Sequence, residues 1–148
     1  MFRRIVFVAL VAPLLAVAPS ALPSAAAPAP KAANDGAVHP EWGSTKGEKG
    51  VLRKSCKKYH YTYSITPPEG DWAIEIVISD PNLEHVGGGV FMAGYDPKNG
   101  TGTYTLCFNN TRYGRFTIEA KVSVANGPGG YVEGFLPPSH FRLHRPRR

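Results

Sequence analysis

The sequence predicts an all-β domain, an antiparallel β-sandwich of six to eight strands, on three observations. Apolar residues recur at every second position in several separate stretches, the spacing that gathers them on one face of a strand. Those stretches are short and are punctuated by clusters of Pro, Gly, Asn and Asp, the residues that make turns. No stretch sustains the 3.6-residue spacing of an amphipathic helix. Strands with one apolar and one polar face bury the apolar side only if two sheets pack face to face.

Residues 1–26 read as a secretory signal: basic Arg3 and Arg4, an apolar run from Ile5 to Ala18, then small residues with a cleavage point after Ala26. The run contains Pro13 and is shorter than the roughly 20 apolar residues a membrane helix needs. No later stretch is longer or more apolar, and no cysteine lies near the cleavage point to carry a lipid. A secreted, extracellular protein without a membrane span is the expectation. Residues 27–50 are rich in Ala, Pro, Gly and Lys with few apolar anchors beyond Val38 and Trp42, a composition that predicts a flexible linker. The sandwich is then expected over 51–146, with 147–148 as a basic tail.

Within the domain, Leu52 to Ile65 is strand-like, with Tyr59, Tyr61, Tyr63 and Ile65 on one parity. "PPEGD" turns the chain into the most regular strand, where Trp72, Ile74, Ile76 and Ile78 alternate with Ala73, Glu75, Val77 and Ser79. "SDPN" turns it again. Val86 to Ala93 is a weaker strand whose Gly87, Gly88 and Gly89 suggest a bulge or a sheet edge. After "YDPKNGTG", Tyr104, Leu106 and Phe108 alternate with threonines and Cys107; after "NNTRYG", Phe116, Ile118, Ala120, Val122 and Val124 form a second regular strand. "NGPGG" breaks it, and "GFLPPS" leads into a last short strand with Phe141 and Leu143 on one side.

The tyrosine row admits two readings. It carries the parity of the Trp72 and Phe116 rows and so fits one wall of a core, with the phenol hydroxyls wanting partners or water at the margin. Alternatively, Tyr59, Tyr61 and Tyr63, with Trp42, form an exposed platform on which sugar rings stack, as in a carbohydrate-binding module.

Cys56 and Cys107 are the only cysteines, and in an exported chain such a pair forms one disulfide. The bond closes a loop of about 50 residues, worth on the order of 4 kcal/mol in chain entropy. A cysteine, then Trp72 in the next strand, then a second cysteine preceded by "GTYTL" resembles an immunoglobulin-like domain over roughly Val51 to Leu143. In that family's pattern the tyrosine stands two residues before the second cysteine, whereas Tyr104 stands three before Cys107. Parity departs too, because both cysteines fall opposite the apolar side of their strands. The expected bond therefore ties two adjacent strands on the outer face or margin of one sheet, and a bulge near Lys57 would be needed to turn it inward. The Ala/Pro-rich leader and the Gly/Pro-rich chain also resemble small exported actinobacterial proteins without assigned function.

The formal charge of +6 is unevenly spread: from Tyr59 to Asp96 there are six acidic residues and no Lys or Arg, while the flanking stretches are basic. The tail "HFRLHRPRR" and the stretch "KGEKGVLRKSCKK" together suit an anionic partner bound without sequence specificity. The candidate anion-binding groups are Lys54, Lys57, Lys58, Arg142, Arg145, Arg147 and Arg148.

Catalytic patterns are sparse. There is no G-x-S-x-G elbow, and Ser139 and His140, as strand neighbours, point to opposite faces. His140 and His144 would stand about 13 Å apart on a strand, at ~3.3 Å per residue, too far to share one ion. Asp80, Asn82, Glu84, Asp96 and Asn99 gather oxygens but match no EF-hand loop, so turn-making is their expected role. The chain is thus expected to be a non-enzymatic module without metal or cofactor. It would bind an anionic envelope polymer or another exported protein through its surface, without specific nucleic-acid recognition.

Overall fold

The computed structural model describes residues 33–147. The signal segment 1–26, its cleavage point and Arg148 lie outside the described residues.

Among the described residues ten strands form two facing sheets: β1 Ala33–Val38, β2 Gly43–Gly47, β3 Gly50–Val51, β4 Lys57–Ile65, β5 Asp71–Ser79, β6 His85–Met92, β7 Asn99–Leu106, β8 Gly114–Ala125, β9 Tyr131–Phe135 and β10 Ser139–His144. The larger sheet is organised by β8. Along one edge of β8 runs the whole of β5, with β6 beyond it. The other edge is shared, β10 pairing with Gly114–Ile118 and β9 with Lys121–Ala125. The smaller sheet has the order β2, β4, β7.

The regular alternation of the sequence becomes the core. Trp72, Ile74, Ile76 and Ile78 from β5, with Phe116, Ile118, Val122 and Val124 from β8, face Tyr59, Tyr61, Tyr63 and Ile65 from β4. Each such burial contributes roughly 1.5–3 kcal/mol. The glycines of the edge strands make room for the rings. A Cβ on Gly102, opposite Tyr61 in register, would land within the Tyr61 ring, and one on Gly100 would meet Tyr63. Gly87 lies against Tyr104, and Gly47 lies under Phe141. The Gly87–Gly89 run of β6 is thus a strand against which large aromatics close, at the edge of its sheet.

The disulfide sits where side-chain parity predicts. Lys57 pairs with Leu106 as the last register step between β4 and β7, and the Cys56–Cys107 bond closes the next step. It ties adjacent strands of one sheet at its margin, while Trp72 lies in the other sheet. An immunoglobulin-type bridge would span the two.

Three expectations need correction. Residues 33–50 of the expected linker 27–50 build β1, a 3-10 turn at Pro40–Trp42, β2 and the first residue of β3. Their apolar content is low because they are short edge strands held by backbone pairing, and because Trp42 anchors them by stacking on His39 at 3.9 Å. The strand count exceeds six to eight for the same reason: β1, β2, β3 and β9 are too short or too glycine-rich to show alternation. The pairing is not wholly antiparallel either, since β1 joins β9 and β3 joins β10 in parallel.

Candidate functional site

The aromatic platform does not exist as a surface. Trp42 and Tyr59 are each 7% exposed, Tyr63 3% and Tyr61 1%, so none of the four offers a face to a sugar ring. Their hydroxyls explain why tyrosine serves here. Tyr63 donates to the Pro97 carbonyl at 3.0 Å. Tyr59 donates to the Val51 carbonyl at 3.0 Å and accepts from the Arg53 amide at 3.1 Å. Burial pushes the Tyr61 phenol up to about 12 and raises that of Tyr104 further.

The Tyr59 contacts place the basic residues. Gly50 and Val51 pair with Leu143 and His144, Leu52 is fully buried and donates its amide to the His144 carbonyl at 2.9 Å, and Tyr59 clamps the backbone on either side. The segment carrying Lys49 and Arg53 is thereby fixed against the strand carrying Arg142 and Arg145. Two basic stretches about 90 residues apart in sequence become one edge of the larger sheet.

Three grooves that share lining residues border this edge. Lys49, Arg115, His140 and Arg142 line one of about 440 Å³. Arg53, His144, Arg145 and Arg147 line a second of about 750 Å³. Lys49, Arg53, Lys57, Lys58 and the single acid Glu48 line a third of about 370 Å³. Lys49 and Arg53 each belong to two grooves, so the cationic surface is continuous. Among the described residues, the ion pairs of Lys and Arg involve only Lys121, held by Glu133 at 3.2 Å and Glu75 at 3.8 Å. Arg145 leans over the exposed Tyr113 ring at 5.9 Å, a cation–π distance that orients it without neutralising it.

The expected cations fare unequally. Lys57, Lys58, Arg142, Arg145 and Arg147 line these grooves, whereas Lys54 stands exposed in the bend between β3 and β4 and lines none of them. Lys49, Arg53 and Arg115 complete the edge and were absent from the expected set. For Lys49 and Arg53 the signal was available, since they lie in the basic stretch itself. Arg115 required the β8–β10 register. Of the six acids between Tyr59 and Asp96, only Asp71 and Glu75 lie on a strand, both on β5, and the other four stand in turns.

Other polar clusters are structural. Asp80 is buried and accepts from the Asn82 and Glu84 amides at 2.7 and 3.1 Å and from the Thr111 hydroxyl at 2.9 Å, which consumes its oxygens in turn-making. Asp96 likewise accepts from the Met92 amide at 3.0 Å. Ser139 bonds Thr45 at 2.6 Å, while His140 bonds Thr117 at 3.1 Å on the opposite face. Among the described residues no three His, Cys, Asp or Glu side chains gather as a metal site.

Glu133, like Asp80, has three polar partners, one oxygen accepting from Tyr131 at 2.6 Å, Ser123 at 3.1 Å and Lys121. The hydrogen bond from Tyr131, with those from Lys121 and Ser123, holds its carboxyl below the usual range, and Glu133 in turn raises Lys121. The linkage signs bracket stability from both sides. The depressed Glu133 contributes stability present above the ordinary carboxylate value and lost as pH falls through its folded value. Lys121 and the raised Tyr61 and Tyr104 contribute stability present below their ordinary values near 10 and lost as pH rises beyond them. Urea unfolding as a function of pH is expected to show a plateau from about pH 5 to 9. Glu133→Gln should remove most of the acid limb, and an unchanged acid limb would contradict the assignment.

No family model and no curated protein matches the chain.

Proposed function

We propose that the protein is an exported, non-enzymatic β-sandwich module that binds an anionic polymer of the cell envelope along the β3–β10 edge. The observation that carries this reading is the continuity of the edge: eight Lys and Arg side chains line three joined grooves, none paired with an acid among the described residues. Unpaired like charges held together by backbone pairing repel one another, and a polyanion lying along them relieves that repulsion and releases its own counterions. The disulfide fits an oxidising compartment, and no described helix is long and apolar enough to cross a membrane. Phosphate-type contacts made by flexible lysines and arginines on a surface carry no sequence information, in keeping with a polymer recognised by charge density.

The test is binding of the protein to a purified teichoic acid at low ionic strength. Changing Arg53, Arg145, Arg147 and Lys58 to Gln together is expected to weaken binding on the order of a hundredfold. Changing Lys46, Lys54, Lys98 and Arg112, exposed cations that line none of the three grooves, to Gln together removes the same charge and should weaken binding at least fivefold less. Equal losses from the two variants would mean that net charge, not this edge, is responsible.

A further inference from the structure

Arg115 and Arg142 stand directly opposite each other on neighbouring strands, and both are exposed on the outer face while Phe116 and Phe141 point inward. Like charges at directly opposed positions destabilise a sheet. No carboxylate pairs with either among the described residues, and Lys49 joins them around the same groove of about 440 Å³. His140 closes the group, its ring tied to the Thr117 hydroxyl at 3.1 Å.

Resting on the proposed polyanion reading, we infer that this groove is a subsite for a terminal ester bearing three free oxygens, a phosphomonoester or a sulfate monoester. The reason is donor count. A carboxylate has two oxygens, and one guanidinium satisfies both in a fork. Two guanidiniums and an ammonium lining one groove have more donors and more charge than a carboxylate can use. A phosphodiester within a chain likewise presents two free oxygens. A three-oxygen group accepts a fork from each arginine and a point contact from lysine, whose compact charge needs no fixed plane. The remaining grooves, lined by Arg53, Arg145, Arg147, Lys57 and Lys58, then hold the rest of the polymer by charge alone.

The experiment titrates the full chain, labelled with nitrogen-15, with glucose 6-phosphate, glucose 6-sulfate, glucuronate and dimethyl phosphate at one ionic strength. The first two are expected to move the Arg115 and Arg142 side-chain signals and to bind at least tenfold more tightly than the last two. Whichever of the two binds more tightly identifies phosphate or sulfate as the source. Arg142→Lys keeps the charge but loses the fork, and is expected to abolish the tenfold preference while polymer binding falls less than threefold. Four ligands of equal affinity, or shifts confined to Arg145 and Arg147, would overturn the subsite. If polymer binding persists without ester preference, the subsite alone is wrong. Ester preference without polymer binding would instead overturn the polymer reading and leave the groove as a small-ester site.

Discussion

Replacing Cys56 and Cys107 by serine is expected to cost the domain on the order of 4 kcal/mol, the chain-entropy value for a 51-residue separation. For a domain of this size that is a large part of the ordinary margin of 5–15 kcal/mol. The native sheet does not depend on the bond for its geometry, because β4 and β7 already pair over eight register steps from Lys57↔Leu106 to Ser64↔Asn99. The bond extends that ladder by one step and acts mainly on the unfolded chain. The double variant should therefore keep its far-ultraviolet spectrum while its urea midpoint falls steeply with little change in slope below the transition. A loss under 1 kcal/mol would mean that the unfolded chain keeps the two strands together without the bond.

Gly102→Val should be nearly as damaging. The Tyr61 ring lies where any Cβ of residue 102 would be, and Gly89 approaches the same ring from β6, so the ring has no free side to move to. Overpacking of this kind costs about 3 kcal/mol, and Tyr61→Ala alone, which opens a large cavity, about 3–5 kcal/mol. The two changes compensate each other in volume. The double variant is expected to be at least 1 kcal/mol more stable than the sum of the singles predicts, the signature of residues that share one space. Additive losses in equilibrium unfolding would show that Tyr61 and Gly102 do not pack as a pair.

The same pair shows what was legible in the sequence and why. β5 and β8 were readable because each is long, central and buried on one face only, so Trp72 to Ile78 and Phe116 to Val124 print the pleat directly into residue type. β2 and the first half of β7, ahead of Tyr104 and Leu106, were opaque, because Gly47, Gly100 and Gly102 occupy core-facing positions that an apolar residue would normally mark. Their burial is supplied by Phe141, Tyr63 and Tyr61 from other strands. β1 and β9 were hidden for a related reason: Gly134 lies against His39 and Trp42, so the anchor of that edge is a side chain from a segment that composition assigns to a linker.

The cysteine geometry was legible because a disulfide position obeys the same parity as the core. For the basic edge, half the information was local. The tail and the stretch from Lys46 to Lys58 announced their charge, but their union depends on a two-residue parallel pairing of Gly50 and Val51 with Leu143 and His144. No sequence period records so short a contact. Arg115 was invisible as a site residue because alone it is an ordinary exposed position on a strand, and only its register opposite Arg142 gives it a partner. The aromatic row was ambiguous in sequence because tyrosine suits both a margin and a platform. The contacts of the Tyr59 and Tyr63 hydroxyls with backbone groups account for the choice of tyrosine over leucine.

The central claim is that the β3–β10 edge holds a polyanion through several simultaneous charge contacts. It is tested most directly by the salt dependence of the protein's affinity for a purified teichoic acid between about 50 and 200 mM, a range in which multi-contact binding weakens steeply. A straight line of log K against log salt is expected, with a slope that falls by about one for each edge cation changed to Gln. A flat line, or a slope unmoved by changes at Arg53, Arg142 and Arg145, would contradict it.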